Sequence, residues 1–351
     1  MKLLLFLLLG IIISLIINIL LLRFSTSLGI RNKNDVIVRW SSQSKPSLGG
    51  VSFYISFLLV SILYAIITSK TDNIFDKDEF ISLFIAGSLA FVMGLADDAY
   101  NTKPYFKLSI QILCGIVFSV FGIQLNLTDS SIINSIATIV WVVILMNSLN
   151  MLDNMDGITG TVVTFILVSC LASLYIQRGI DMNIWTVLLI SQIGTLLGFL
   201  KLNIHPSKLF MGDAGSQFIA LFVAFFSIEY LWNFGKQSYM STWIGMAVCL
   251  VAFTPAAADT LTVVINRLKR GQSPMVGGKD HTTHHLVYKG LNDKQVWYVF
   301  LILSLLSCVL SVGMLYFASK NIFLPIYLCP LYTIFVFLTL YRITLKYKAN
   351  K

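Results

Sequence analysis

An all-α protein that threads a membrane many times is the fold class this sequence predicts, and three observations predict it. Apolar side chains make up 57% of the 351 residues and charged ones only 12%, a balance foreign to ordinary soluble domains. Mean hydropathy is +0.82. Apolar runs recur from one end to the other with no low-complexity linker, so 1–351 reads as a single domain.

The elements follow from length. A transmembrane helix needs roughly 20 apolar residues, and eleven such runs are present, at 3–22, 48–68, 80–96, 106–122, 132–152, 158–176, 184–200, 215–233, 241–265, 295–318 and 322–343. The first run, although it follows Lys2, is too long for the apolar region of a signal peptide and lacks a small-residue cleavage site before Arg23, so it is expected as a helix. Cytoplasmic loops retain Lys and Arg. With the N-terminus outside and the C-terminus cytoplasmic, the loops at about 23–47, 97–106, 153–158, 201–214 and 266–294 and the tail, together with Lys107 at the edge of the second loop, hold nineteen of the 25 basic residues. Topology thus accounts for the net charge of +9, which is scattered rather than striped and excludes a nucleic-acid interface. The five cysteines lie in apolar runs without a C-x-x-C pair and are expected as small buried hydrophobes.

The unusual polar residues gather on the basic side. Asp97 and Asp98 end the third run; Asn147, Asn150, Asp153, Asn154 and Asp156 end the fifth; Asn203, His205 and Asp213 follow the seventh; Asp259 lies in the ninth and His281, His284 and His285 come after it. Asn147, Asn150 and Asn154 stand three and then four residues apart, so they share one helical face. Amides and carboxylates inside apolar helices are costly and face a bundle interior or a wet cavity. Asp213, between Gly212 and Gly215, suits either a phosphate-binding turn or a helix cap. Asp259 suits a structural and a catalytic role equally. Glu229, near the outer end of the eighth run, is expected to snorkel or face a loop. Carboxylates are the usual protein ligands of Mg²⁺, which keeps waters and phosphate oxygens as well. The His cluster lacks a cysteine, and its two adjacent members cannot both face one ion. Phosphate contact, shared with Arg267, Lys269, Arg270 and Lys279, is the expected role of that loop.

Taken in order, Pro-x-x-Gly-Gly at Pro46 to Gly50, Asp97-Asp98, N-x-x-N-x-x-D-x-x-D-G from Asn147 to Gly157, Asn203 ten residues before the Asp213 of F-M-G-D-x-G-S, and His284-His285 resemble the polyprenyl-phosphate N-acetylhexosamine-1-phosphate transferases. That family, glycosyltransferase family 4, includes bacterial undecaprenyl-phosphate GlcNAc-1-phosphate transferases and the phospho-MurNAc-pentapeptide translocase. The resemblance implies an inner-membrane enzyme with a cytoplasmic site, Mg²⁺ or Mn²⁺, a UDP-N-acetylhexosamine donor and a polyprenyl (undecaprenyl) phosphate acceptor. It implies Asp213, with Asp153, as metal ligand and Asp97 and Asp98 beside the acceptor phosphate. Asn147, Asn150, Asp153, Asp156 and Asn203 are then expected at the nucleotide or diphosphate, and His284 and His285 at the reacting phosphates. Lys45 and His281 complete the phosphate contacts, although the residues before Pro46 and the His281-Thr-Thr-His284-His285 spacing depart from the usual pattern. A homodimer is left open. Two other classes fit less well. A secondary transporter would place its site near the midplane of internal repeats, and a CDP-alcohol phosphotransferase would continue Asp156-Gly157 with an Ala-Arg pair, where this chain has Ile158-Thr159-Gly160-Thr161.

Overall fold

The computed structural model describes residues 2–24, 46–68, 73–179, 181–234, 239–274 and 277–348, and the regular elements among them are all helical. In chain order they are α1 (Lys2–Phe24), α2 (Val51–Thr68), α3 (Asp78–Tyr100), α4 (Pro104–Val120), α5 (Ser131–Leu152), α6 (Ile158–Arg178) and α7 (Ile184–Asn203). There follow α8 (Gly212–Ser227), extended by a π-helical turn Ile228–Trp232, then α9 (Tyr239–Ala252), α10 (Thr254–Lys269), the short α11 (Thr282–Tyr288), α12 (Asp293–Ser319), α13 (Leu324–Leu328) and α14 (Pro330–Lys346).

Among the described residues nine helical stretches are long and apolar enough to cross a membrane, or ten when α9 and α10 are counted as one broken span. The expectation of eleven unbroken spans needs two corrections. The run 106–122 becomes α4, whose 17 residues rise about 26 Å at 1.5 Å per residue, short of a hydrocarbon core about 30 Å thick. The run 241–265 is not one rod: α9 and α10 meet at 77°. Pro255 opens α10 and, lacking an N–H, cannot continue the ladder from α9. Loop boundaries shift too. Helix α3 continues to Tyr100, which places Asp97 and Asp98 in its last turns rather than in the expected loop 97–106.

Where side chains are apolar on every face, composition cannot say which face turns inward. In α1 the buried residues are Phe6, Gly10, Ser14 and Asn18, spaced by four along one stripe that packs on α7. Lipid is as apolar as leucine, so it is the small and polar residues that mark a helix contact. Asn18 donates from Nδ2 to Ser14 Oγ at 3.2 Å and Ser52 Oγ at 3.1 Å. At the other extreme, α8 with its π turn is buried almost throughout. Phe218, Phe222, Phe225 and Phe226 fill the space between it and its neighbours, of which α3 and α5 make the broadest contacts. Four of the five cysteines are buried and the fifth, Cys329, is half-buried, as expected of small hydrophobes.

The centre of the bundle is closed by a glycine contact. Gly49 and Gly50 donate backbone N–H groups to the carbonyls of Phe210 and Met211 at 3.0 and 2.8 Å. This brings the Pro46–Gly50 segment so near α8 that a Cβ built on Gly50 would lie 2.0 Å from Gly215 Cα. Backbone cannot move out of the way cheaply, and overpacking of this kind costs roughly 1–3 kcal/mol or more. Gly50→Ala is therefore expected to lower the thermal unfolding midpoint of the detergent-solubilised protein by several degrees. Gly313→Ala, where an added Cβ meets nothing within 4 Å, should leave it unchanged or slightly higher.

Candidate functional site

The site assembles where α3, α4, α5 and α8 end together. Asp97, buried, accepts from the Thr102 N–H at 2.8 Å and the Thr102 hydroxyl at 2.7 Å on Oδ1. Its Oδ2 pairs with Lys107 of α4. The same ammonium donates to Asp213 Oδ2 at 3.4 Å, so one lysine stands between two carboxylates. Asp213 lies in the first turn of α8 and its Oδ1 accepts from Asn150 Nδ2 at 2.8 Å; that amide also reaches Ser216 Oγ at 2.8 Å. Asp98 Oδ2 accepts from the Ala214 N–H at 2.9 Å, which makes it a cap for α8 supplied by another helix. Asp98 takes up an unpaired N–H of the helix N-terminus, and both acids lie at its positive dipole end. Asp213 itself accepts no capping bond from its own first turn, so the expected self-capping role belongs to Asp98 instead.

Lys107 is the residue that sequence reasoning missed, having counted it only as a cytoplasmic loop charge. The signal was present: Lys107 and Gln111 are four apart on α4 and so share a face. The structure uses that face fully. Gln111 Oε1 accepts from Asn147 Nδ2 at 2.7 Å and Gln111 Nε2 donates to Gln217 Oε1 at 3.3 Å. Asn147 thus joins a chain of amides linking α5, α4 and α8 beneath the acids, and it does not join Asn150 at Asp213.

Two further expected residues, Asn203 and Asp156, tie two loops together. Asn203, buried, accepts from the Gly157 N–H at 3.0 Å and donates to the Leu209 carbonyl at 2.9 Å. Its carboxamide is spent on backbone, so its observed role is to hold the turn after α5 against the segment before Asp213. Asp156 accepts from the Ser207 N–H at 3.0 Å and its hydroxyl at 2.8 Å, with His205 Nδ1 at 3.2 Å. Asp153 is the C-cap of α5, half-buried one turn beyond Asn150. Asn154 lies past the helix end and accepts from Thr283 Oγ1 at 2.6 Å; its expected place on the helical stripe is corrected accordingly. Lys45 lies outside the described residues.

The His segment arrives from α10 and α11. Buried Arg267 forms a fork on Asp280, Nε to Oδ2 at 3.0 Å and Nη2 to Oδ1 at 2.7 Å, and Arg270 adds a third contact to the same carboxylate. These guanidiniums were expected as phosphate donors; the structure has them bound to Asp280. Burial works against the charged form of Asp280, but Arg267 and then Arg270 outweigh it and hold the carboxyl at about 2. Asp259, fully buried in α10, bonds His281 Nδ1 at 2.9 Å and takes the Thr282 N–H and hydroxyl at 2.8 and 2.6 Å. His284 packs edge-on to His281 with ring centroids 5.4 Å apart, whereas His285 turns the other way and bonds the Tyr347 carbonyl. The adjacent pair therefore diverges, as one helical turn requires.

Burial, and then His281 beside it, holds His284 near 3, and burial also lowers His285. Neither histidine is a positive anchor at neutral pH. A neutral imidazole can still donate one N–H. At the opposite end of the bundle Asp76, Asp78, Glu79 and Glu229 line a cavity of about 370 Å³, at the far end of α3 from Asp97.

As to a metal, no group of three or more carboxylate, His or Cys side chains among the described residues is arranged as a cage. Mg²⁺ requires no such cage, since one or two carboxylates suffice when substrate phosphates supply the remaining oxygens. Asp213 has that character. It is partly exposed and already faced by a cation in the form of Lys107.

Residues 80–231 match the model of the family described as glycosyl transferase family 4, a stretch containing Asp97, Asp98, Asp153, Asp156 and Asp213. The chain is 26% identical over 301 residues to a decaprenyl-phosphate N-acetylglucosaminephosphotransferase of Mycolicibacterium smegmatis, covering 80% of this chain and 73% of the relative. It is 23% identical over 300 residues, 83% of this chain and 78% of the other, to a Bacillus subtilis protein described as a probable undecaprenyl-phosphate N-acetylglucosaminyl 1-phosphate transferase. A phospho-N-acetylmuramoyl-pentapeptide-transferase of Streptococcus agalactiae is 26% identical over 287 residues, 76% and 82% of the two chains.

The lowered His284 value has a definite pH consequence. Below its ordinary value of 6.5 the unfolded chain binds a proton that the folded one refuses, so the unfolded state gains. Stability is expected to be full above about pH 6.5 and to decline as pH falls toward 3, with His284→Gln flattening the slope. Thermal unfolding of the detergent-solubilised protein across that range measures it.

Proposed function

We propose that this chain, which belongs to glycosyl transferase family 4, transfers a sugar 1-phosphate to a polyprenyl phosphate, taking it from a UDP-activated N-acetylhexosamine. The observation that carries this reading is the meeting of Asp97, Asp98, Asn150, Lys107 and Asp213 at one end of the bundle. The relatives' names supply the acceptor class. A charged nucleotide and a lipid-anchored phosphate can meet only where helix ends reach water. The excess of Lys and Arg on that side supports a cytoplasmic site in a bacterial inner membrane, with the N-terminus outside and the C-terminus inside.

In the reaction a phosphate oxygen of the acceptor forms a bond to the β-phosphorus of the UDP-sugar. The bond from that phosphorus to the bridging oxygen breaks, and UMP leaves with the electron pair. Phosphoryl transfer asks mainly for alignment and charge neutralisation. Lys107 is placed to exchange a carboxylate for a phosphate oxygen as substrates enter. Asn150 fixes the direction of the Asp213 carboxylate, and Asp98 fixes the turn that carries it. Asp97 orients Lys107, and little base catalysis is asked of it because a phosphomonoester already loses its second proton near pH 6. Mg²⁺, when bound by Asp213 with help from Asp153, supplies further neutralisation of the diphosphate.

Purified protein given UDP-GlcNAc, polyprenyl phosphate and Mg²⁺ is expected to release UMP. Asp213→Ala should reduce that release by a factor of about 100 or more, as for removal of one key electrostatic group, and chelation with EDTA should abolish it reversibly. Normal turnover by Asp213→Ala would sink the assignment. A donor panel including UDP-MurNAc-pentapeptide identifies the sugar, and label exchange from UMP into UDP-sugar without acceptor would replace the direct route with one through an enzyme-bound intermediate.

A further inference from the structure

The segment 280–283 is unusual in that four consecutive residues are each anchored to a group outside the segment. Asp280 is gripped by Arg267 and Arg270, His281 and Thr282 both bond Asp259, and Thr283 bonds Asn154 at the end of α5. Asp259 is the hinge of this arrangement. It lies in the second turn of α10 after the break, and no part of it is exposed. A buried carboxylate is costly unless hydrogen-bonded throughout, and here Oδ1 takes two bonds from Thr282 while Oδ2 faces the His281 ring.

A carboxylate only accepts, so the ring nitrogen facing it, Nδ1, must carry the proton. That leaves Nε2 as the one nitrogen of His281 able to address a substrate. We infer that Asp259 is a positioning residue for the transfer: by holding His281 through Nδ1, 2.9 Å away, it fixes the imidazole so that Nε2 faces the phosphates of the bound sugar nucleotide. The inference rests on the transferase reading for the identity of that substrate. It assigns His281 a role distinct from that of His285, which is turned toward Tyr347. Asp259 acts through the ring and never touches substrate.

Asp259→Asn keeps the shape but offers an N–H where Oδ2 stood, which favours the opposite tautomer. With four histidines in the chain, selective ¹⁵N labelling resolves each ring, and His281→Gln identifies the His281 signals. The neutral wild-type ring is expected to carry its proton on Nδ1, and Asp259→Asn to move it toward Nε2. A wild-type His281 protonated on Nε2 overturns the inference whatever the enzyme assay gives. In the UMP-release assay Asp259→Asn is expected to lower kcat by about 10- to 100-fold, the usual loss when an orienting partner is removed, with KM for the sugar nucleotide little changed. Added to His281→Gln it should cost nothing more, because residues that act through one another are not additive. Full additivity would mark Asp259 as mere support for α11 and overturn the inference. A wild-type protein that shows the Nδ1 tautomer but transfers nothing to polyprenyl phosphate counts against the transferase reading and against a role for the pairing in it.

Discussion

An ammonium held between two carboxylates at the mouth of a buried helix is the interaction on which the site depends. Lys107 reaches Asp97 and Asp213 together, and a cation between them offsets part of the cost of placing two carboxylates at the edge of an apolar bundle. The arrangement is costly to assemble; the other described pairs hold loops, Asp280 to Arg267 and Asp156 to His205, which also faces Asp293 at the start of α12. It also explains why α8 is buried nearly throughout while α1 and α14 are not. Packing on every side keeps the helix whose N-terminus carries Asp213 from tilting or sliding.

Around this centre the chain builds two tiers of support. The nearer tier is made of amides and glycines: Asn150 on Asp213, the Asn147–Gln111–Gln217 chain below it, and the Gly49–Gly50 backbone against Phe210 and Met211. The farther tier is ionic and holds the His segment, with Arg267 and Arg270 on Asp280 and Asp259 beneath His281. Asn154 and Thr283 join the tiers. The broken pair α9–α10 makes the second tier possible, because a straight helix would carry Asp259 along the bundle instead of under the loop.

Residues whose chemistry suggested substrate contact turn out to divide between the two duties. Asn203 and Asp156 are occupied by backbone and by Ser207, and Arg267 and Arg270 are occupied by Asp280. Asp97, Asp98, Asn150 and Asp213 lie together at the helix ends. Polar type and spacing identify a residue that apolar surroundings cannot tolerate unpaired, but they do not say whether its partner is a ligand or another part of the chain. Lys107 shows the converse error. A basic residue near a helix end satisfies the topological rule for cytoplasmic charge so well that nothing prompts a search for its carboxylate partners, which lie 10 and 106 residues away.

The sequence by itself determined that this is an all-helical membrane protein, which elements recur, and which motif residues lie at their ends, because hydrophobic length and periodicity are local properties that twenty consecutive residues express alone. Tertiary structure decided the rest. Which face of a uniformly apolar helix turns inward, that Pro255 breaks the ninth run at 77°, that Lys107 joins Asp97 to Asp213, and that Asp259 holds His281 are all pairings across distant parts of the chain. Such pairings depend on packing geometry, and no local rule encodes the direction in which two helices meet.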